Sequence, residues 1–489
     1  MSANETAAAQ PLTRREIITI MSGLMVAQFM GALEATIVAP VMPTFGRVLG
    51  NAEILPWIVT SYLLVATAVT PLYGKLSDIH GRRPILLISI GIFVLGSIAC
   101  ALAPNMIALV LARGLQGLGG GGLIALTQTI VGDMIPPKQR AEYQGYIQAT
   151  WLAAGLGGPV IGGFFAEYLH WSMIFWINLP LGLLAFLMTD RQLRRLPRHE
   201  RRHELDLVGA CLMMAMSATL MLALSWGGTR YDWLSPQTMG LIALSGLLLA
   251  LLVLRLRKAR EPLIPISILA NKIVFNGTLS VCCAMSVLIG LIIYLPIYFE
   301  VVLGFPADRA GMALVPLVLG TTIGAGFSGR YMARHDHYKR APILGLCIAI
   351  ASTLVLWLAA DRLPLLMLEI IFACLSMGLG SLLPVSTTAL QNAVPRHEMG
   401  TTMALLNFLR QLGSAFAVAV FGTILIGLSG VARGSAHELL LRSGNPNIQG
   451  LASGFSLLFL LTGMALGLAL FFLIRMEERP LRDAHHPKE

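Results

Sequence analysis

The segment Gly74-Lys-Leu-Ser-Asp-Ile-His-Gly-Arg-Arg-Pro-Ile85 is a short polar stretch between two apolar stretches, each long enough to cross a bilayer. Its charged, glycine and proline residues interrupt the hydrophobic sequence for only about ten residues. We therefore expect the flanking spans to be antiparallel neighbours joined by a short polar loop. A weaker copy occurs about 255 residues later, from Gly329 to Ile343, and this spacing indicates a duplicated half.

The composition extends this interpretation to the whole chain of 489 residues, of which 56% are hydrophobic and 12% are charged. Soluble domains contain about 25% charged residues. The charges are clustered, and windows of about 20 residues nearly free of them match the helix length that spans roughly 30 Å of hydrocarbon. The sequence predicts an all-α integral membrane protein with fourteen spans, arranged as six, two and six.

The spacing of spans and linkers predicts four regions. Residues 1–190 would form an N-terminal six-helix bundle, and residues 191–272 two basic linkers around an extra pair of spans at about 207–226 and 236–254. Residues 273–475 would form a C-terminal six-helix bundle, followed by a cytoplasmic tail at 476–489. The longest external loop could hold a short interfacial helix at 437–441.

Further landmarks repeat at a constant offset of 258 residues. The matching pairs are Pro84-Ile85 with Pro342-Ile343, Pro137-Lys138 with Pro395-Arg396, and Gly155 with Gly413. Because span number and orientation are kept over this offset, the halves are predicted to be parallel repeats, which support rocking of one bundle against the other.

The placement of charge explains the net charge of +10 without a nucleic-acid partner. Most of the 35 Lys and Arg residues fall in cytoplasmic segments if the N-terminus is cytoplasmic, which is the positive-inside pattern. We therefore expect a multi-pass protein of the inner (plasma) membrane with both termini in the cytoplasm. No removable signal peptide is predicted. All six cysteines lie in apolar spans without metal-ligand spacing, so no metal site is expected.

The opening segment resembles the cytoplasmic motif of the major facilitator superfamily, Gly-x-Leu-Ala/Ser-Asp-Arg-x-Gly-Arg/Lys-Arg/Lys. The matching residues include Gly74, Asp78, Gly81, Arg82 and Arg83. A basic residue is usual where this chain has Ile79. The chain as a whole is similar to the fourteen-span drug:proton antiporters of that superfamily, which implies two six-helix bundles in parallel repeat plus two extra helices. The resemblance also implies a conformational gate that holds the cytoplasmic side shut; a solvated positive-inside turn is the alternative.

Span 4 contains Arg113-Gly-Leu-Gln-Gly-Leu-Gly, which resembles the family motif Arg-x-x-Gln-Gly-x-Gly. The resemblance associates Arg113 with proton transfer. A guanidinium in hydrocarbon costs about 2.5 kcal/mol or more, so this side chain must face the bundle interior, a carboxylate or water. Structural anchoring is the alternative.

Span 5 resembles the antiporter motif of drug exporters, Gly-x₈-Gly-x₃-Gly-Pro-x₂-Gly-Gly, with Ala154 at the second glycine. The gate candidates in it are Gly155, Gly158, Pro159, Gly162 and Gly163. A Gly-Pro pair frees backbone groups and can bend a helix between bundles. A packing face that tolerates glycine is the alternative.

The coupling proton needs a carboxylate, because none of the ten histidines lies within a predicted span. Glu34 lies in Leu-Glu-Ala-Thr-Ile-Val, which resembles the first-span motif Leu-Asp-x-Thr-Ile/Val-Val of the antiporters. With Arg113 it is the predicted proton-coupling residue, holding a proton in one state and releasing it, or trading it for a cationic substrate, in another. A merely structural acid is the alternative.

Six further residues are candidates for substrate binding or coupling: Tyr294, Tyr298, Glu300, Glu369, Asn407 and Arg410. The two tyrosines could stack on a flat cation beside Glu300, although an interfacial aromatic belt explains them equally well. Glu369 could widen the range of cations or face external water. Arg410 and Asn407 resemble a polar motif of fourteen-span members, with helix packing as the alternative.

These observations predict a transporter rather than an enzyme: a secondary active exporter that exchanges protons for hydrophobic, cationic drugs or toxic compounds by alternating access. Its energy source would be the proton gradient, with no cofactor. The alternative is a proton-coupled exporter of one metabolite, such as a siderophore or lipid precursor. No Gly-x₄-Gly-Lys-Ser/Thr nucleotide loop supports an ATP-driven pump, and the lack of a sizeable soluble domain disfavours a receptor. The expected partners are a small-molecule substrate, protons and the lipid bilayer, with a periplasmic adaptor as a further candidate.

Overall fold

The computed structural model describes residues 14–50, 54–135, 137–194, 205–335, 337–429 and 448–481. Within these ranges the regular secondary structure is helical, apart from one bridge between Gly227 and Tyr231. The predicted interfacial helix at 437–441, most of the basic linker, Pro136 and the tail from 482 onward lie outside the described residues.

The first bundle contains α1 Arg14–Ile37, α2 Met42–Leu49, α3 Trp57–His80, α4 Arg82–Ala101, α5 Met106–Met134, α6 Pro137–Tyr168, α7 Met173–Trp176 and α8 Asn178–Leu193. The extra pair is α9 Leu207–Trp226 and α10 Pro236–Lys258. The second bundle contains α11 Ile266–Ala270, α12 Lys272–Ile297, α13 Ala307–Met312, α14 Val315–Arg334, α15 Arg340–Ala359, α16 Leu365–Ala393, α17 Met399–Ser429 and α18 Ile448–Arg475. A π-helical turn, Tyr298–Val302, extends α12.

Thirteen helical segments among the described residues are long and apolar enough to cross a membrane. The remaining predicted span, at about 310–329, corresponds to α14, which is 20 residues long but less apolar than the thirteen. Its glycines lower its hydropathy and allow close packing: a Cβ added at Gly324 would collide with the carbonyl oxygen of Met377 on α16. Close approach of this kind is what small residues permit between membrane helices.

The polar segment that opens the sequence is helical rather than an extended loop. Helix α3 continues through Asp78 to His80, and α4 begins at Arg82. Only Gly81 separates them, with a φ of 89° that residues bearing a Cβ rarely adopt. The prediction of a loop of about ten residues was therefore wrong, while the antiparallel pairing of the two spans is what this sharp reversal produces.

Polar residues define where several other helices begin. The Asn105 side chain accepts a hydrogen bond of 2.9 Å from the Ala108 amide at the start of α5, and Asp206 caps α9 through the Gly209 amide at 3.0 Å. Asn271 caps α12 in the same way. Such caps satisfy amides that a helix leaves without an internal partner.

The buried apolar residues separate into clusters along the chain. Two clusters draw on residues 17–193, and a larger one draws on residues 210–476. Ala210 of α9 and Leu252 of α10 belong to the larger cluster, and α9 also contacts α3 and α17. The extra pair therefore packs on both bundles instead of standing apart in the membrane.

The two bundles meet where α3 and α5 contact α17 and where α6 contacts α14 and α16. We call the end that carries Gly81, which the sequence predicts to be cytoplasmic, the latch end. Hydrogen bonds between the bundles include Thr67 to Gln411 in the middle of α3, and Asp78 to Thr401 at the latch end. The structure is therefore closed at the latch end.

Candidate functional site

Glu34 and Arg113, predicted separately from the sequence, form one buried ion pair. The side chain of Glu34 is fully buried and that of Arg113 is 2% exposed. Arg113 donates from Nη1 to Glu34 Oε1 and from Nε to the carbonyl oxygen of Ile58 at 2.9 Å. The guanidinium also lies over the ring of Tyr62, 4.5 Å from its centroid. The pair is neutral as a unit, which lowers the cost of burying either charge.

Amide side chains complete the hydrogen bonding of the Glu34 carboxylate. Its Oε2 accepts from Gln116 Nε2 and from Asn178 Nδ2, both at 2.9 Å. The same two amides donate to Ser97 Oγ at 2.8 and 3.2 Å, and Gln116 Oε1 accepts from Arg113 at 2.6 Å. We call these five residues and Tyr62 the Glu34 network; it joins α1, α3, α4, α5 and α8.

The Glu34 network surrounds both carboxylate oxygens with hydrogen-bond donors. These donors are a guanidinium and two amides. A proton added to Glu34 would compete with one of them, because a protonated oxygen donates instead of accepting. A protonated Glu34 would therefore require Arg113 or one of the amides to move.

A short path connects Glu34 to the glycine-rich helix α6. Thr36, two residues after Glu34, donates from Oγ1 to the carbonyl oxygen of Ala154 on α6 at 2.8 Å. A Cβ at Gly158 would collide with Thr36 Oγ1, and one at Gly162 with the carbonyl oxygen of Ile37. Glycines therefore let α6 lie directly against the end of α1.

The predicted gate residues of α6 do not all lie at this contact. A Cβ added at Gly155 or Gly163 would have no heavy atom within 4 Å. Pro159 lies inside α6, which runs without interruption from Pro137 to Tyr168. The structure thus brings Gly158 and Gly162 to α1, whereas Gly155 and Gly163 face open space.

Asp78 at the latch end binds the beginning of α17 in the other bundle. Its carboxylate accepts from the amides of Gly400 and Thr401 at 3.0 and 2.8 Å and from Thr401 Oγ1 at 2.7 Å. Gly74 lies one turn before it, where a Cβ would be 2.6 Å from the Gly400 carbonyl oxygen. A carboxylate at a helix N-terminus satisfies free amides and interacts favourably with the helix dipole.

Arg82 and Arg83 extend this contact in different directions. Arg82 pairs with Asp78, donates from Nε to Asp133 Oδ2 at 2.7 Å, and reaches the carbonyl oxygen of Arg396 in the other bundle at 3.1 Å. Arg83 instead pairs with Asp190 at the end of α8. Arg82 therefore belongs to the contact between bundles, whereas Arg83 joins two helices of the same bundle.

A second set of polar side chains lies between the bundles, and we call it the interbundle layer: Thr67, Gln128, Asn407, Arg410 and Gln411. Asn407 Nδ2 donates to Gln128 Oε1 at 2.7 Å, and Thr67 Oγ1 donates to Gln411 Oε1 at 2.7 Å. Both bonds join α17 to the first bundle. Arg410 lies between Asn407 and Gln411 on α17 and is partly exposed.

The aromatic candidates near the end of α12 are not an open platform for a cation. Tyr298 is 0% exposed and packs against Phe455 with ring centroids 5.0 Å apart. Tyr294 donates to the carbonyl oxygen of Val418 at 2.9 Å and contacts Phe421 edge to face. Stacking of these tyrosines on a substrate stays a prediction; in this conformation both rings are covered by residues of the second bundle.

The remaining acidic candidates belong to the second bundle, whereas the Glu34 network belongs to the first. Glu300 is half-buried in the π-helical turn after α12, and Glu369 is half-buried in the second turn of α16 between exposed Met367 and Ile370. Neither side chain is brought to the interbundle layer. Among the described residues, no group of three or more His, Cys, Asp or Glu is placed to hold a metal ion.

Several network residues were not singled out from the sequence. Asn178, Ser97, Tyr62 and Gln128 were overlooked, and Gln116 was noted only as part of a motif. The available signal was a polar side chain inside an apolar span, which is costly unless it has a partner. That signal marks a residue for attention but does not name its partner.

Comparisons with known proteins point in one direction. A family model described as Major Facilitator Superfamily matches residues 24–418. Multidrug transporter protein MdtP of Bacillus subtilis (strain 168) is 31% identical over 84% of this chain and 76% of its own length. Multidrug resistance protein 3 of the same organism is 29% identical, covering 86% of this chain and 81% of that protein.

Solved structures with the same fold are more distant in sequence. The crystal structure of the human organic anion transporter MFSD10 aligns with a TM-score of 0.62 at 18% identity, covering 93% of this chain and all of that one. A bacterial homologue of the iron transporter ferroportin, in an outward-facing state, aligns with a TM-score of 0.65 at 13% identity, covering 96% and 100%. At these identities the likeness concerns the fold alone.

Proposed function

This chain belongs to the major facilitator superfamily and is a membrane transporter of the drug-efflux type rather than an enzyme, and we propose that it exchanges protons for hydrophobic compounds by alternating access. The observation that carries the coupling proposal is the buried pairing of Glu34 with Arg113. In this pairing the Arg113 guanidinium and a proton compete for the same Glu34 carboxylate.

The proposed cycle begins with proton uptake by Glu34. A neutral acid holds the guanidinium of Arg113 less firmly than a carboxylate does, so protonation frees Arg113 to move toward water or a new acceptor. Thr36 transmits a shift of α1 to α6, which contacts α14 and α16 of the other bundle. Proton binding at one site is thereby coupled to the contact between bundles.

The contact of Asp78 with α17 supplies the second state-dependent element. It holds the latch end closed in this conformation through three hydrogen bonds to Gly400 and Thr401. Opening that end requires the carboxylate to leave the helix N-terminus. The energy source of the cycle is the proton gradient, and no cofactor enters it.

We further propose a location in the inner (plasma) membrane with both termini in the cytoplasm, as the positive-inside pattern favours. The preference for cationic compounds stays a prediction. Glu34, the acid that would attract such a compound, already has a cationic partner in Arg113. Export of a single metabolite remains the second candidate. A pump-deleted host that expresses the protein is exposed to a panel of dyes, biocides and metabolites, and its growth or its accumulation of each compound separates a broad exporter from a narrow one. A need for a periplasmic adaptor would show as a requirement for a second gene.

The coupling proposal is tested with Glu34→Gln in proteoliposomes. The amide cannot ionise, and its NH₂ group replaces one of the two oxygens that accept hydrogen bonds from Arg113, Gln116 and Asn178, so we expect substrate flux driven by a pH gradient to fall to background. Exchange of labelled for unlabelled substrate without a gradient measures whether the variant still cycles. Glu477→Gln is the matched control, since Glu477 is 49% exposed and lies outside the Glu34 network, and it should retain flux. Undiminished pH-driven flux in Glu34→Gln would overturn the proposal.

A further inference from the structure

Arg410 stands at the contact between the two bundles. It follows Asn407 by one turn of α17 and immediately precedes Gln411, and both neighbours hydrogen-bond to the first bundle at 2.7 Å. Residues three apart on a helix share a face, so Arg410 lies on the side of α17 that carries Asn407. The side chain is partly exposed in this conformation, which is closed at the latch end.

The guanidinium of Arg410 has no partner among the described residues. Its backbone carbonyl accepts a hydrogen bond from Ser414, but no described carboxylate, carbonyl or aromatic ring pairs with the side chain. The contrast is Arg113, which has a carboxylate, a carbonyl and an aromatic face. Glu34 and Arg113 cancel each other, whereas no described acid pairs with Arg410.

A second unpartnered donor lies on α1 of the first bundle. Gln28 on α1 is 1% exposed, and its Oε1 accepts from Thr127, the residue before Gln128 on α5. Its Nε2 has no partner in the structure. Asn407 Oδ1 is a buried acceptor that is also left open. Arg410 and Asn407 Oδ1 thus offer a donor and an acceptor on one side of α17, and this pair suits a ligand with an acidic group and a neighbouring hydroxyl or N–H.

We propose that Arg410 is the substrate-binding cation and that it takes the acidic group, a carboxylate or sulfonate, of an amphipathic organic anion. Water can compensate the guanidinium while one end of the protein is open. When both ends close around the substrate, an unpaired cation at mid-membrane is costly and a bound anion removes that cost. Closure would then favour the loaded protein over the empty one.

This inference rests on the proposed function, because it takes the contact between bundles as the transport pathway. It also has a consequence for charge. One-for-one exchange of an inward proton for an outward anion moves net positive charge inward, so the membrane potential would drive it. Exchange of a proton for a monovalent cation would move no net charge. The substrate class is therefore measurable as a current.

The test uses two dyes with the same xanthene ring, the sulfonated anion sulforhodamine B and the cation rhodamine 123. The purified full-length protein is placed in proteoliposomes under a pH gradient, and binding of each dye is measured by fluorescence anisotropy in detergent. The variants are Arg410→Gln, Arg410→Lys, which keeps the charge, and Arg257→Gln, a matched control on the exposed end of α10. Thermal unfolding of each variant shows that it is folded.

We expect the wild-type protein and Arg257→Gln to bind and move sulforhodamine B with an inward current. Arg410→Gln should bind sulforhodamine B at least about tenfold more weakly, because one charge-assisted hydrogen-bonding partner is lost. Its affinity for rhodamine 123 should be unchanged or higher, and Arg410→Lys should retain an intermediate affinity for sulforhodamine B. Anisotropy decides this even if no dye is transported.

Two outcomes overturn the inference while leaving the proposed function intact: wild-type protein that moves only rhodamine 123 under the gradient, or Arg410→Gln that loses both dyes equally. A wild-type protein that binds sulforhodamine B through Arg410 but moves neither dye under a pH gradient refutes proton coupling and supports the binding site. If Arg410→Gln fails to fold, the wild-type preference between the dyes and the affinity of Arg410→Lys settle the matter.

Discussion

Replacing Asp78 by Asn should open the latch end without removing the substrate site. The carboxylate is 6% exposed, so solvent screens it little. Its Oδ2 accepts from both the amide and the hydroxyl of Thr401, and Oδ1 accepts from the Gly400 amide. An asparagine has one oxygen and no charge, and its amide N–H groups cannot accept from the donors that remain.

The size of the effect follows from these contacts. Hydrogen bonds to a charged group contribute about 1.5–3 kcal/mol each, and a charge at a helix N-terminus about 0.3–1 kcal/mol. Because water replaces part of this when the end opens, we expect a net shift of about 2–4 kcal/mol toward the open form. That is a change of roughly 30- to 1,000-fold in the equilibrium between the two forms.

Hydrogen–deuterium exchange at the start of α17 measures this shift directly. Amides of residues 399–404 should exchange faster in Asp78→Asn, and substrate affinity should stay within about twofold. Thr401→Val, which removes one of the three bonds, should give a smaller increase. Glu477→Gln is the control, because Glu477 also lies at the latch end but is 49% exposed and, among the described residues, pairs with Arg479. Unchanged deuterium exchange in Asp78→Asn would refute the latch, whether or not substrate binding is lost.

Two further predictions concern packing and the C-terminal segment. Gly162→Ala should lower the unfolding temperature and the transport rate, because overpacking against the Ile37 carbonyl costs about 1–3 kcal/mol. Gly163→Ala, whose added methyl group meets open space, should change neither quantity. Equal behaviour of the two variants would contradict the packing of α6 on α1. The buried Tyr338 hydroxyl donates to the carbonyl oxygen of Arg479 at 3.2 Å and accepts from the Arg479 amide at 3.1 Å. Tyr338→Phe should therefore speed deuterium exchange at residues 477–481 and destabilise the protein by about 1–3 kcal/mol. Since both partners belong to the second bundle, transport should change little, and unaltered exchange at 477–481 would show that the tyrosine does not hold the segment.

The two halves use different contacts at the latch end. Where Asp78 binds α17, the repeat has Ala333, which carries no acid. Close by, Lys339 Nζ instead donates to the carbonyl oxygens of Ile474 and Met476 at the end of α18, and Glu478 accepts from the Lys339 amide at 2.9 Å. The C-terminal segment therefore fastens its own bundle, whereas Asp78 of the first half binds the other bundle.

Much of the architecture could be predicted because hydrophobic length is a local property. Apolar windows of about 20 residues predict spans whatever surrounds them. The boundaries of α9 were predicted in the same place, and thirteen spans coincide with long apolar helices. The fourteenth predicted span, α14, is not among those long apolar helices. Among its residues are glycines that pack against α16 and contribute little hydrophobicity.

The amino-acid sequence by itself determined that the chain is a helical membrane protein, which residues are charged inside its spans, and where motifs of a transporter family occur. Only the tertiary structure decided which of those residues act on one another. Glu34 and Arg113 are 79 residues apart and Asp78 and Thr401 are 323 apart, so neither pairing has a local signature. Tyr294 and Tyr298, equally plausible beforehand, turned out to be covered by neighbouring side chains. A side chain's chemistry is set by its residue type, but its partner is set by how distant helices pack, and that depends on the whole chain.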